Sequence, residues 1–186
     1  MGDYLDLLVL NETKLSDCYC DAVFQWEGYK LYRTDRNEYG GVIVNVKSKI
    51  ASKQLTSHNF TKNIEGLFIE LNLRKRKMLV FGTYHSTHEV YGCSDVEFFE
   101  QVSLALDVYS GYENVVLAGD FNMEENQTHF VDFLNDHSLK CLIKEPTCFK
   151  NAENPSCIDL FEQIIRDVFK IQLQYQQVFQ IFTNRV

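Results

Sequence analysis

The sequence predicts an α/β domain, and three observations carry that prediction. Several short runs rich in β-branched residues, bounded by glycines or charged turns, read as strands. Residues 94–109 have helical periodicity and their own cap. Residues 113–137 read as a strand followed by an amphipathic helix, the unit from which α/β sheets are assembled. With 186 residues, 45% of them hydrophobic, and only two prolines, the chain can bury one sizeable core.

Taken in order, residues 4–10 (Tyr-Leu-Asp-Leu-Leu-Val-Leu) are too short for a helix and suit a buried strand. Residues 29–35 and 40–46, separated by a charged turn, predict a hairpin whose second arm is Gly-Gly-Val-Ile-Val-Asn-Val. Residues 67–73 and 78–84 predict a second hairpin, with the basic block Arg74-Lys-Arg-Lys77 as its solvated turn rather than a nucleic-acid patch. Ser94 with Glu97 forms a capping box, and positions 98, 102, 105, 106 and 109 fall on one apolar face. A strand over 113–119 ends at Asp120-Phe-Asn122, with a helix predicted over 125–137.

The net charge of −8, from 26 acidic against 18 basic residues, argues against holding DNA by bulk electrostatics, which needs Lys and Arg at the phosphates. It leaves room for an enzyme whose bound cations offset its carboxylates. Six cysteines without a signal peptide read as reduced thiols of an intracellular protein, and Cys18-Tyr-Cys20 lacks the paired spacing of a structural zinc site. No apolar run approaches the roughly 20 residues of a membrane span, so no membrane role is expected. His85 and His88 stand three apart in a loop without a third ligand, and read as surface histidines rather than a zinc pair.

Glu12 directly follows the first predicted strand, and Asp120 and Asn122 directly follow another. Open α/β sheets bind ligands at such strand ends. Two carboxylates and an amide there suit a hard cation, because Mg²⁺ is held by one or two carboxylates with water and phosphate completing its shell. Each residue taken singly reads equally as a cap or turn residue.

Six ordered segments go further: Leu10-Asn-Glu-Thr-Lys-Leu15; Arg33-Thr-Asp-Arg36 followed by Gly40-Gly-Val-Ile-Val44; Gly82-Thr-Tyr-His85; Gly119-Asp-Phe-Asn122; Pro146-Thr-Cys148; and Ser156-Cys-Ile-Asp-Leu160. Over about residues 5–161 the chain resembles the endonuclease/exonuclease/phosphatase superfamily, especially the apurinic-endonuclease-like domains of non-LTR retrotransposons. The resemblance implies a two-sheet α/β sandwich flanked by helices, here incomplete. It also implies Mg²⁺ (Mn²⁺ as an alternative), DNA as the partner, action in the nucleus, no small-molecule cofactor, and a reverse transcriptase domain in the intact ancestor.

Carried over residue by residue, the resemblance makes Glu12 the Mg²⁺ ligand, with Asp120 beside the metal orienting and deprotonating the attacking water. Asn122 would hydrogen-bond a phosphate oxygen and Tyr84 would stabilise developing charge. Thr147 would touch the DNA backbone, with Ser156, Asp35 and Arg36 also on the substrate side, and Asp159 would buttress the catalytic histidine.

The sequence departs from the family twice. A first strand ending in an active-site Asn should precede Leu5, and its loss should bare an unpaired edge prone to aggregation. A Ser-Asp-His or Ser-Asp-Phe-His motif should follow Asp159 by a little over twenty residues, yet 162–186 contains no histidine. One choice of synonymous codons from Glu162, read from the third base of the first codon, encodes an ending with Gly-Phe-Ser-Asp-Phe-His at that spacing. The expectation is a partial domain over 1–161, a frameshift near Phe161, and an unrelated tail over 162–186. A catalytically dead remnant or binding module, and a phosphatase of the same superfamily, are the competing readings.

Overall fold

A computed structural model describes residues 6–60, 63–74, 76–87, 90–123 and 127–142, together with the backbone of 159–165. The strands are β1 (Leu7–Asn11), β2 (Tyr29–Thr34), β3 (Val42–Lys47), β4 (Ala51–Leu55), β5 (Glu65–Leu73), β6 (Arg76–Tyr84), β7 (Asn114–Asp120), β8 (Lys140–Cys141) and β9 (Asp159–Ile165). The helices are α1 (Asp95–Val108) and α2 (Thr128–Asp136). They form the predicted two-sheet α/β sandwich: a three-stranded sheet ordered β1-β3-β2 faces a six-stranded sheet ordered β4-β5-β6-β7-β9-β8.

Alternation along the strands builds two cores. Val9, Val42, Val44 and Val46 of the smaller sheet meet Leu67, Ile69, Val80 and Val116 of the larger one. The intervening residues Phe68, Leu79, Phe81 and Leu117 point the other way and pack against Phe98, Val102 and Phe130 of the helices. Gly82 permits the sheets to close, because a Cβ there would lie 2.6 Å from the Val44 side chain. Gly119 permits the parallel β6–β7 pairing, since its Cβ would meet the Thr83 carbonyl at 1.8 Å.

Both predicted hairpins form, and Arg74 turns the second with a φ of 53°. The Ser94 hydroxyl accepts from the Glu97 amide as the capping box requires, and positions 98, 102, 105, 106 and 109 are all buried. The second helix begins at Thr128, three residues inside its predicted span. The sequence reading did not include β4, which is polar and mostly exposed. It also assigned β3 one partner, whereas β3 lies between β1 and β2. Among the described residues the smaller sheet thus ends on β1. Strand β9 pairs with β7 from Asp159 through Ile165, passing the boundary placed at Phe161.

Candidate functional site

Three strands of the sandwich end side by side. Tyr84 closes β6, Asp120 closes β7 in register with it, and Asp159 opens β9 opposite Asp120. Glu12 follows β1 of the other sheet, with a left-handed φ of 51° that turns the chain sharply after the strand. The Tyr84 hydroxyl donates to Glu12 Oε1 at 2.6 Å across the gap between sheets. Glu12, Tyr84 and Asp120, separated by up to 108 residues in sequence, therefore share one end of the sandwich.

Asn11 fixes the same junction. With its amide oriented to satisfy both ends, it donates to the Thr83 carbonyl at 3.1 Å and accepts from the Asp120 amide at 2.8 Å. One buried side chain of β1 thus holds the last residues of β6 and β7. After β7, Asn122 adopts a φ of 50°, and its backbone N–H donates to Asp120 Oδ1 at 2.8 Å. Its side-chain Nδ2 donates to the His85 carbonyl at 2.8 Å.

His85 corrects the expectation of a surface histidine, because it is only 1% exposed. Its Nδ1 lies 2.8 Å from the Phe121 carbonyl and its Nε2 lies 3.0 Å from the Cys93 carbonyl. The His85 backbone N–H donates to the Asp120 carbonyl at 2.8 Å. The side chain is buried because the loop after β6 folds against α1, where Phe98 packs at 4.5 Å between ring centroids. His88 lies outside the described residues.

Glu65, at the start of β5 and opposite Tyr84, is a site residue that sequence reasoning missed. Its Oε2 accepts from the Gly41 amide at 2.6 Å, and Arg36 Nη1 stands 3.4 Å from Oε1. Burial raises its carboxyl above the ordinary value; the Gly41 N–H and Arg36 oppose that rise, and the Glu12 charge adds to it. The sequence signal was the acid-glycine pair Glu65-Gly66 just before an apolar run. The structure turns Arg36 inward, with Nη2 also donating to the Tyr91 carbonyl at 2.6 Å. Asp35 is similarly drawn to Arg33 at 3.3 Å, and burial raises its carboxyl despite Arg33. Thr147 and Ser156 lie outside the described residues, and Asp159 is placed by its backbone alone.

The electrostatics of the cluster favour a cation. Burial holds the Tyr84 phenol far above its ordinary value, and the hydrogen bond to Glu12 and the charges of Glu12, Asp120 and Glu65 push in the same direction. Tyr84 is therefore a neutral donor facing three carboxylates, with Arg36 close to one of them. Among the described residues no group of three or more His, Cys, Asp or Glu side chains forms a ready-made cage. The Glu12 and Asp120 carboxylates beside the Tyr84 hydroxyl are oxygen donors of the kind that hold a hydrated divalent ion.

No family model and no curated protein matches the chain. Solved structures do align with it. The endonuclease domain of TRAS1, a telomere-specific non-LTR retrotransposon, aligns at 14% identity with a TM-score of 0.59, covering 74% of this chain. The chain spans 65% of that domain's length. The catalytic domain of human Nocturnin, solved with a bound sulfate anion, aligns at 14% identity and a TM-score of 0.65, over 86% of this chain and 69% of its own. The AP endonuclease LMAP from Leishmania major aligns at 13% identity and a TM-score of 0.63, over 85% of this chain and 69% of its own. At these identities the likeness concerns architecture: the chain has the endonuclease/exonuclease/phosphatase fold.

Proposed function

We infer that this scaffold is that of a Mg²⁺-dependent phosphodiester hydrolase that nicks DNA to prime reverse transcription, carried here in a form impaired in catalysis. The observation that supports it is the convergence of Glu12, Tyr84, Asp120 and Asn122 at one sandwich end. The names of the similar structures, a retrotransposon endonuclease and an AP endonuclease, favour DNA as the substrate. Glu12 and Asp120 would hold the Mg²⁺, which when bound supplies positive charge to the scissile phosphate.

The chain's own residues divide the remaining work. Tyr84, kept protonated by burial and by Glu12, presents a hydrogen-bond donor as negative charge grows on the phosphate. Asp120 is held at a strand end with Oδ1 bonded to the Asn122 amide, placing its carboxylate to orient a water. Asn122 offers an amide at the same turn for a phosphate oxygen. Asp35, Arg36, Thr147 and Ser156 are proposed on the substrate side. Asp159 would support a histidine, and residues 162–186 supply none. That missing imidazole is the reason for proposing impaired catalysis, and a frameshift near Phe161 is the proposed cause.

Nicking of supercoiled plasmid in Mg²⁺ tests the reading, using the chain as it stands, Glu12→Ala, and a chimera carrying a restored first strand and a Ser-Asp-Phe-His ending. We expect nicking by the chimera alone, abolished by Glu12→Ala within it. Nicking by the unaltered chain that Glu12→Ala removes would overturn the loss of catalysis. A chimera that folds but neither nicks nor binds DNA would overturn the hydrolase reading.

A further inference from the structure

Helices α1 and α2 lie on the outer face of the six-stranded sheet, joined by a 2.8 Å hydrogen bond between His137 Nε2 and Ser103 Oγ. Their inner faces are spent on the core. A second apolar surface remains outside: Val96 is 43% and Leu104 60% exposed. Between the helices runs a groove of about 480 Å³ whose apolar lining includes these two residues with Phe99 and Phe133. Single exposed hydrophobics are ordinary on a surface, but here two of them flank a channel floored by the buried rings of Phe99 and Phe133, which is a binding feature.

Carboxylates dominate the rim of this groove. Glu100, Asp107, Asp132 and Asp136 line it beside the single imidazole of His129, and neither helix contains a lysine or arginine. An outward helix face is normally laced with both charges, because pairs three or four residues apart stabilise it. Here the carboxylates are left to repel one another around an apolar channel. This face disfavours DNA, since phosphates would meet four carboxylates against one imidazole, His129.

From this pairing of an apolar floor with a carboxylate-dominated rim, we propose that the α1–α2 groove docks a basic amphipathic helix of a protein partner. From Val96 to Asp107 the groove follows eleven helical steps, about 16 Å at 1.5 Å per residue, enough to seat about three turns of an incoming helix. Its leucine-type ridge enters between Leu104 and Phe133, and flanking Lys or Arg side chains meet the four carboxylates. Docking here is independent of phosphodiester chemistry, so it survives if the hydrolase reading fails.

The probe is a fluorescein-labelled synthetic peptide of about 18 residues, built of Leu and Lys with the leucines on one helical face. Anisotropy titration against the full chain should give saturable binding that weakens with salt. A peptide of identical composition with scrambled order should bind at least about tenfold more weakly, as should the original peptide to Leu104→Lys and to the double variant Asp132→Lys, Asp136→Lys. These three positions are exposed, so the fold should tolerate the changes. Amide shift mapping on the unsubstituted chain should place the peptide on residues 96–107 and 129–136. Absence of binding, equal binding of the scrambled peptide, or shifts elsewhere on the molecule would each overturn the proposal.

Discussion

Replacing His85 by leucine removes the hydrogen bonding of the ring while keeping a buried side chain of similar bulk. The Phe121 and Cys93 carbonyls lie 2.8 and 3.0 Å from the ring nitrogens, and an imidazole tautomer carries one N–H to donate between them. A buried polar group stripped of its partner costs about 1–3 kcal/mol, so the loss of that one donor predicts a destabilisation of about 1–3 kcal/mol. Against a typical domain stability of about 5–15 kcal/mol, that is a large fraction. Urea unfolding followed by circular dichroism measures it directly. Because the Phe121 carbonyl sits between Asp120 and Asn122, the same change in the Ser-Asp-Phe-His chimera should lower kcat more than it raises KM. A stability loss below about 0.5 kcal/mol would refute the reasoning, since it would mean that neither carbonyl depended on the ring.

Three further outcomes follow from the same geometry. Glu70 accepts from Tyr112 and is flanked by Lys77 and Lys53, which together hold its carboxyl at about 2, below the ordinary 4.5. Its stabilisation is therefore present above pH 4.5 and lost as pH falls towards 2; with exposed lysines discounted for screening, Glu70→Gln should cost about 1–2 kcal/mol at pH 7 and almost nothing at pH 2, measured by denaturant titration at both. Gly119→Ala should fail to fold or lose more than about 3 kcal/mol, read as soluble yield and thermal midpoint, because the new methyl meets the Thr83 backbone. Tyr84→Phe removes the donor to Glu12 and should cut nicking by the chimera by about tenfold or more while the chain stays folded.

Local chemistry was legible where it was encoded in neighbouring residues. The Ser94–Glu97 cap, the Arg74 turn and the apolar face of α1 are all written within a few positions of each other. Glu12, Asp120 and Asn122 stood out in the sequence because each directly follows a strand-like run, whereas Tyr84 entered only through the family resemblance. What escaped were residues whose role depends on partners far along the chain. Strand β4 offers a polar sequence and owes its existence to pairing with β5. Glu65 and His85 carry no local signal of burial in the sequence; packing against Gly41 and against the loop around Cys93 gives them their partners. The placement of β3 between β1 and β2 is likewise a fact of topology, for which periodicity carries no signal.

The Asn11 amide has a kinetic implication. It ties the Asp120 N–H of one sheet to a side chain rooted in the other, so that proton meets solvent only when the two layers come apart. Its hydrogen exchange should then follow the slowest, global opening of the protein rather than the rapid fraying usual at strand termini. The Asp120 carboxylate, proposed to face a metal and a phosphate, would thereby be anchored at one of the most persistent points of the molecule, with its constancy inherited from the closure of the whole sandwich.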